Sequence, residues 1–219
     1  MPKKARTFET LRFSVEIEVE FSDKKDSQKL IEKHRIIPGW ALDYDGSLDN
    51  GAEYRPKDRT HLHWNEDSID QIKEIIGLIK AHKGDIRSTC GLHVHVDMKD
   101  FTYREIANII KAYIKDQNKI CKEFKMLKQR LDYAQKIPKS VIRYLTESNI
   151  RKVKEGQLEY GEGGCQYLTE RHYSLNVDAL HKHGTLEFRL FNGSIQIRRI
   201  KAYIKWCLNF CLNNAKGKK

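Results

Sequence analysis

Hydrophobic and polar residues alternate along residues 11–21, LRFSVEIEVEF, and this period of two predicts a β-strand. Val15 and Val19 lie on one face of that strand, because successive side chains of a strand point to opposite faces. Glu16 and Glu18 lie on the other face. The strand therefore presents one row suited to a hydrophobic core and one row of carboxylates.

The same period of two occurs in residues 89–97, TCGLHVHVD, where two histidines stand one residue apart. Leu92 and Val94 belong to the apolar row of this second predicted strand. His93 and His95 belong to the polar row. That row faces either plain solvent or a functional site, and the pattern alone does not decide between the two.

Further strands are predicted within residues 40–56, 172–180 and 184–191. The first of these segments holds two short extended pieces with the turn signals Asp-Gly and Asn-Gly. The last segment, GTLEFRLF, again alternates apolar and polar positions. The polar residues of interest in these segments are Glu53, Arg55, Arg171, Asn176, Glu187 and Arg189; Arg171 immediately precedes the second segment.

Helical spacing of hydrophobic residues predicts most of the remaining elements. Helices are expected over residues 66–82, from Thr102 to about residue 128, after Pro138, and from about residue 196. Asn65 or Asp67 suits the N-cap of the first of these helices. Residues 159–167, EYGEGGCQY, contain three glycines and predict a loop.

These elements together predict an α+β fold, in which helices pack on the apolar face of an antiparallel sheet and the middle of the chain is helical. The length of 219 residues suits one domain over residues 1–215, followed by a basic tail at 216–219. The sequence shows no internal repeat and no linker that would divide the chain.

Composition narrows the class of protein. The sequence has 39% hydrophobic and 32% charged residues, and no apolar run reaches the roughly 18 residues needed to cross a bilayer. The first residues lack the apolar segment of a secretion signal. The five cysteines form no C-x-x-C pair, which argues against a disulfide framework and a cysteine zinc site. A reducing, cytoplasmic location is the expectation.

The formal charge of +11 is concentrated in the middle of the chain, where residues 99–160 hold fifteen Lys and Arg against eight Asp and Glu. Such an excess favours anionic partners such as nucleotide phosphates, an acidic substrate or nucleic acid. The alternative interpretation is that these lysines solvate the outer faces of helices.

Carboxylates and imidazoles on several predicted strands indicate a metal site. Glutamate is depleted in strands, and neighbouring carboxylates would raise each other's pKa unless cations bound between them. Carboxylates with imidazole and without thiolate suit Mg²⁺ or Mn²⁺. Arginines near the same strands are suited to hold phosphate or carboxylate oxygens by forked hydrogen bonds. The combination predicts phosphoryl transfer or hydrolysis at a phosphate.

Five motifs resemble, in order, the amidoligase family of carboxylate-amine ligases related to glutamine synthetase. They are VEIE at 15–18, DGSL with GAEY at 45–54, CGLHVHV at 90–96, RHYSLN at 171–176 and GTLEFRLF at 184–191. The resemblance spans residues 12–210. It implies a glutamine-synthetase-like fold whose curved antiparallel sheet binds ATP and divalent ions. It also implies that a carboxylate and an amine are joined through an acyl phosphate.

The resemblance assigns roles to residues that match its motifs. The implied metal ligands are Glu16, Glu18, Glu53, His93 and Glu187. The implied nucleotide contacts include His93 and His95, and Arg189 would act in catalysis beside Glu187. Arg55 and Arg171 are expected to hold phosphate or carboxylate oxygens, the latter as a catalytic residue. Asn176 is expected to contact the nucleotide or substrate, or else to bond a turn.

The cofactors implied are therefore ATP and Mg²⁺ or Mn²⁺, with small-molecule or peptide carboxylates and amines as substrates. Two other classes stay open. A metal-dependent hydrolase would use His93, His95 and one carboxylate to activate water. A non-catalytic nucleotide- or nucleic-acid-binding module would use the basic middle segment, although an acidic sheet face argues against nucleic acid.

Two further features allow two interpretations each. Arg130 and Tyr133, in RLDYAQK, either line a substrate pocket or form a surface arginine beside a core tyrosine. The glycine-rich loop that contains Gly161 and Cys165 either closes over the reacting groups or is a simple hairpin loop.

Overall fold

Seven strands form one antiparallel sheet in the computed structural model, which describes residues 6–21, 37–46, 48, 50–59, 62–158 and 165–217. Their spatial order is β2-β3-β1-β5-β7-β6, and β4 pairs with β1 beyond the end of β3. The strands are β1 (Arg12–Glu20), β2 (Trp40–Asp45), β3 (Gly51–Pro56), β4 (Leu62–His63), β5 (Gly91–Asp97), β6 (Leu175–Asn176) and β7 (Thr185–Asn192).

Six α-helices and two 3₁₀ helices complete the described part of the chain. The 3₁₀ helices span Lys139–Tyr144 and Cys165–Leu168. The α-helices are α1 (Glu66–Ala81), α2 (Tyr103–Glu123), α3 (Arg130–Tyr133), α4 (Glu147–Glu155), α5 (Ala179–His183) and α6 (Ile197–Ala215). This mixture confirms an α+β fold with an antiparallel sheet. None of the described helices is both long and apolar enough to span a membrane.

The apolar face of the sheet is covered by helices. Helix α6 packs on β5 and β1 and also against α2. Val15, Val94 and Phe188 from the three central strands are fully buried there. At about 25 cal/mol per Å² of apolar surface removed from water, such side chains contribute roughly 1.5–3 kcal/mol each to folding. The helix layer therefore fixes which face of the sheet is left for polar side chains.

Both faces of the central strands are buried, which decides what the polar rows face. His93 and His95 are each 1% exposed, and Glu16 is 4% exposed. A solvated sheet face would leave such side chains accessible. The polar rows of β1 and β5 therefore line an interior site.

Strand register brings the polar rows side by side. Glu16 of β1 is the cross-strand partner of His93 of β5, and His95 is the partner of Glu187 of β7. On the other side of β1, Glu18 pairs with Glu53 of β3. Directly opposite residues of an antiparallel pair have Cβ atoms about 5 Å apart, so these side chains are neighbours.

Two irregularities of the sheet also position charge. On one side, β1 pairs with β3 along one part of its length and with β4 along another, and a gap separates the two pairings. Arg59 lies in the connection between β3 and β4, which passes this gap. Between β5 and β7, Leu92 pairs with Phe191 but Val94 pairs with Phe188, so β7 has one extra residue next to Arg189. Such bulges redirect side chains and occur often beside active sites.

Helix boundaries agree with the sequence in some places and differ in others. Asn65 caps α1, and Thr102 forms a capping box with Glu105 at the start of α2, as helix-start rules predict. Helix α2 ends at Glu123, earlier than the predicted residue 128, and Lys125 adopts a left-handed φ of 50° just after it.

Two predicted elements take another form. The helix expected after Pro138 is a 3₁₀ helix followed by α4. The strand expected over residues 172–180 is limited to β6, because the Asn176 side chain accepts a hydrogen bond from the Asp178 amide and turns the chain into α5. Of the predicted glycine loop, residues 159–164 lie outside the described residues.

Candidate functional site

A cavity of about 410 Å³ opens on the polar face of the sheet. The structure brings the side chains selected from the sequence to this one cavity, although they come from distant parts of the chain. They are Glu16, Glu18, Glu53, Arg55, His93, His95, Arg171, Asn176, Glu187 and Arg189. Their roles stay predictions, but their convergence defines the candidate site.

Glu16, His93 and Glu187 form the densest group of metal-ligating atoms among the described residues. One ligand atom from each lies within 4.8 Å of the others, and the three side chains are buried. His93 Nδ1 is 2.9 Å from Glu16 Oε2 and 3.3 Å from Glu187 Oε1. Two carboxylates and one imidazole in this arrangement are a donor set that suits a divalent cation.

His93 is held between carboxylates on both sides of its ring. Its Nε2 lies 3.1 Å from Glu18 Oε1, whereas its other nitrogen, Nδ1, meets Glu16 and Glu187. Burial and the Arg189 charge lower the pKa of His93, but Glu18 and Glu16 outweigh them and raise it to about 9. Without a metal, a protonated His93 therefore serves as a counter-ion for the carboxylates around it.

Glu18 differs from Glu16 and Glu187 in its partners. It accepts a hydrogen bond from the Gly91 amide and lies 3.7 Å from Arg130 Nη1. Burial raises the pKa of Glu18, but His93, Arg130 and the Gly91 amide together lower it to about 2. Glu18 therefore orients the Nε2 side of His93, a position from which carboxylates commonly support a metal-binding imidazole.

His95 is fully committed to neighbouring side chains. Its Nε2 lies 2.8 Å from Glu16 Oε1, and its Nδ1 lies 2.8 Å from Thr185 Oγ1. Burial opposes ionisation of Glu16, but His95 and His93 hold the pKa of that carboxyl well below its usual value. His95 therefore fixes Glu16, and the structure gives it no ring nitrogen free for a nucleotide.

Arg189 and Asn176 fix Glu187. Arg189 Nη1 donates to Glu187 Oε1 at 2.6 Å, and Asn176 Nδ2 donates to Glu187 Oε2 at 2.6 Å. Burial raises the pKa of Glu187, but His95 and Arg189 among others lower it overall. Among the described residues, the buried Nε of Arg189 has no hydrogen-bond partner, so this arginine keeps a donor for a ligand.

Glu53 is the one predicted metal ligand whose environment disfavours its charge. Arg55 and Arg59 approach its Oε1 only to 3.4 Å. Burial and the nearby charge of Glu16 raise the pKa of Glu53 to about 8, against the opposing charge of Arg59. Glu53 therefore stands apart from the Glu16, His93 and Glu187 group.

We expect Glu53→Gln to stabilise the protein at pH 8. Ionised Glu53 destabilises the fold, and this penalty is absent below its unfolded pKa near 4.5 and complete above its folded pKa of about 8. Glutamine resembles the neutral acid, so urea unfolding should show a gain of roughly 1–3 kcal/mol at pH 8 and little change at pH 5. If the variant were less stable than the natural protein at pH 8, the fold would not disfavour the ionised form of Glu53.

Arginines balance most of the carboxylates, which corrects the sequence-based expectation that the acids raise each other's pKa in the absence of bound cations. That expectation is wrong for Glu16, Glu18 and Glu187, because arginine and histidine cations lie among them. The acidic residues that line the cavity are Glu16, Glu18, Asp43, Asp45, Glu53 and Glu187, and the basic ones are Arg55, Arg59, Arg130, Arg171, Lys182 and Arg189.

Arg130 occupies a notch made by a glycine. A Cβ added at Gly91 would overlap the Arg130 guanidinium, so only glycine admits the guanidinium there. Arg130 is 1% exposed and donates to the carbonyl oxygens of Thr89, at 2.7 Å, and Arg189, at 3.1 Å. It also lines the cavity with Tyr133. The structure thus decides against a surface arginine, one of the two interpretations left open by the sequence.

Arg55 and Arg171 reach the cavity in different ways. Arg55 is held by Asp43 at 2.6 Å on the side of the cavity formed by β2 and β3. Arg171 is exposed, and its Nε lies 3.4 Å from the Nε2 of His172. Arg171 therefore lies at the solvent side of the cavity, where a substrate would enter.

Sequence reasoning missed several cavity residues, among them Arg59, Lys182 and His183. Arg59 forms ion pairs with Glu16 and Glu53, and Lys182 and His183 reach the cavity from the end of α5. No periodic pattern marks them, because they lie in a connection and at a helix end. Gly184, which follows with a left-handed φ of 69°, is a helix-stop signal that places His183 at such an end.

The amino-acid sequence matches the model of a protein family. The chain belongs to the family described as "Putative amidoligase enzyme", whose model matches residues 9–211 and so covers most of the chain. Membership of this family indicates a ligase. Comparisons with curated proteins and with solved structures give no match.

Proposed function

We propose that this chain is an ATP-dependent carboxylate-amine ligase with a glutamine-synthetase-like fold, which uses Mg²⁺ or Mn²⁺ and forms an acyl phosphate. The observation that carries the proposal is the buried group of Glu16, His93 and Glu187 inside a cavity that also holds arginines. Membership of an amidoligase family supports the same reaction class.

The donor set fits a hard divalent cation. Glu16, Glu187 and His93 Nδ1 would hold it, with Glu18 orienting the other ring nitrogen of His93. When bound, Mg²⁺ or Mn²⁺ neutralises phosphate oxygens and lowers the repulsion between two anions. Three protein ligands leave further coordination positions for phosphate oxygens and water.

The arginines of the cavity suit the anionic reactants. Arg189 is fixed by Glu187 and keeps a buried Nε donor that has no partner in the described part of the chain. Arg171 is exposed at the entrance, where it can meet a carboxylate or phosphate. Guanidinium groups bind both anions through paired hydrogen bonds. We therefore assign Arg189 to the transferred phosphoryl group and Arg171 to the incoming substrate.

The proposed reaction has two steps. A carboxylate oxygen of the substrate attacks the γ-phosphorus of ATP, and the bond to the bridging oxygen breaks to release ADP. The resulting acyl phosphate has a good leaving group, so an amine attacks its carbonyl carbon and the carbon–oxygen bond to phosphate breaks. The products are an amide and inorganic phosphate. The fixed charges of Arg189 and Arg130 are preorganised to stabilise the transferring oxygens.

One observation supports a second candidate, a metal-dependent hydrolase. Only three of the five predicted ligands, Glu16, His93 and Glu187, come together in one group among the described residues. Three protein ligands with an open position are also the arrangement of a site that activates water. Nucleotide dependence separates the two functions, because the hydrolase needs the metal alone.

We expect Mn²⁺ together with a non-hydrolysable ATP analogue to raise the melting temperature more than either does alone. A ligand that binds only the folded protein stabilises it by about 2.7 kcal/mol at one hundred times its dissociation constant. The measurement is a thermal shift titration with metal, nucleotide and both. A shift with metal that nucleotide does not enlarge would favour the hydrolase, and no shift with millimolar concentrations of both would overturn the ligase.

The reaction itself can be tested before the amine substrate is identified. Hydroxylamine is a small neutral nucleophile that converts an acyl phosphate to a hydroxamate. The protein would be incubated with ATP, Mg²⁺, hydroxylamine and pooled carboxylates, and hydroxamates and ADP would be measured. Each active carboxylate would then be offered pooled amines, with products identified by mass spectrometry. Failure to form any hydroxamate or amide would contradict the proposed function.

A further inference from the structure

His183 is a histidine of the cavity whose ring is not committed to the protein. It lies at the end of α5, is exposed, and lines the cavity. Neither of its ring nitrogens hydrogen-bonds to another described residue. Both ring nitrogens of His95, in contrast, are occupied by Glu16 and Thr185. His183 therefore keeps an acceptor nitrogen for a ligand in the cavity.

The surroundings of His183 favour its neutral form. Its ring meets the His95 ring edge-on, with the centroids 5.7 Å apart. Partial burial lowers the pKa of His183, and the charges of His95 and Arg59 lower it further, against the opposing effect of Glu16 and Glu187. At neutral pH the side chain is thus an imidazole with a free lone pair, which is the form that accepts protons.

The amide-forming step of the proposed function needs a group that accepts a proton from the amine. An alkylamine is protonated at neutral pH and has no lone pair with which to attack an acyl phosphate. Glu16, Glu53 and Glu187 are each paired with an arginine. His93 is enclosed by carboxylates. His172, the other exposed histidine of the cavity, bonds to Glu170 and Arg171 through its two ring nitrogens. His183 is thus the cavity histidine that is left to take the proton.

We infer that His183 is the general base of the amide-forming step, which rests on the proposed function of the site. A ring nitrogen of His183 takes one proton from the ammonium group, which frees the nitrogen lone pair. The amine nitrogen of the substrate then bonds to the acyl carbon, and the carbon–oxygen bond to phosphate breaks. A second proton of the amine leaves with the phosphate, and the third remains on the amide nitrogen. His183 then returns its proton to water.

The test compares two nucleophiles in His183→Gln. Hydroxylamine is neutral at pH 7 and needs no base, whereas the alkylamine substrate identified by the product screen is protonated. With the carboxylate and ATP fixed, amide formation at pH 7 should fall roughly 100-fold in the variant, as expected for loss of a general base. Hydroxamate formation should change less than about threefold, since general-base assistance is not required there.

Controls separate a base from a binding or structural residue. His181→Gln removes an imidazole from the same helix but not from the cavity, and should spare both reactions. Added imidazole should partly restore amide formation in His183→Ala. Equal losses with both nucleophiles, or no loss with either, would overturn the role of His183. A natural protein that makes neither hydroxamate nor amide would instead overturn the proposed function, and this inference with it.

Discussion

Glu16→Gln is expected to abolish divalent metal binding and to lower ligation at least about 1,000-fold, since a bound metal supplies several kcal/mol to such a reaction. Glu16 contributes one oxygen to the candidate metal group and the other to His95. Glutamine keeps the shape but loses the charge, and removes one of the carboxylates that pair with Arg59 and His93. Mn²⁺ binding measured by electron paramagnetic resonance and hydroxamate formation are the readouts.

Glu20→Gln is the matched control on the same strand. Glu20 is as buried as Glu16, at 4% exposure, but it is not among the residues that line the cavity. Its carboxylate accepts a hydrogen bond from Thr89 and pairs with Arg87. Both substitutions remove a buried charge and cost stability, so only a difference in metal binding identifies the site. If the two variants bound Mn²⁺ equally well, Glu16 would be a structural ion-pair residue.

Gly91→Ala is expected to destabilise the protein by roughly 2–4 kcal/mol and to reduce activity severely, because the new Cβ would displace a buried guanidinium. The Arg130 side chain fills the space above Gly91. Its displacement would remove the hydrogen bonds that tie α3 to Thr89 and to the Arg189 carbonyl of β7, and would take the guanidinium away from Glu18. Urea unfolding and Mn²⁺ binding would measure the two effects.

Gly77→Ala is the control in which an added Cβ meets no other atom. Gly77 lies inside α1, is exposed, and has nothing within 4 Å of the position that a Cβ would take. Alanine is favoured over glycine in a helix, so this variant should gain about 0.5–1 kcal/mol. If Gly91→Ala were as harmless as Gly77→Ala, the notch would not constrain Arg130.

The polar face of the site could be predicted from the sequence, because the alternation of polar and apolar residues along a strand determines which side chains share a face. Glu16 and Glu18 on one strand, and His93 and His95 on another, had to share a side with each other. Their convergence across strands depends on register, which the sequence does not state. The pairing of Glu16 with His93 and of His95 with Glu187 is a property of the folded sheet.

The electrostatics of the site could be predicted only in part, since two of the counter-charges lie outside the strands. Arg59 belongs to the connection between β3 and β4, and Arg130 belongs to a helix of only four residues. Neither lies on a strand with a periodic pattern. A count of carboxylates therefore suggested repulsion. In the folded chain, nearby cations bring the pKa of Glu16, Glu18 and Glu187 below its usual value, and only at Glu53 do burial and the charge of Glu16 outweigh them.

Element boundaries failed where side chains compete with regular hydrogen bonding. The segment around Asn176 has the apolar content of a strand, but its side-chain amide bonds both Glu187 and the Asp178 backbone. Asparagine commonly forms such local bonds in turns. The two interactions end β6 and hold Glu187, so this error in the predicted strand falls on a residue of the site.

The metal-ligand group joins the beginning, middle and end of the chain, and this has a consequence for folding order. Glu16 and His93 are 77 residues apart, and the Arg130 contact with the Arg189 backbone spans 59 residues. Contacts of such long range form only after the entropy of closing large loops has been overcome. Burying Glu16, Glu18 and Glu187 before their cations arrive would cost several kcal/mol for each ion. The site therefore assembles late, and substitutions within it should speed unfolding more than they slow folding.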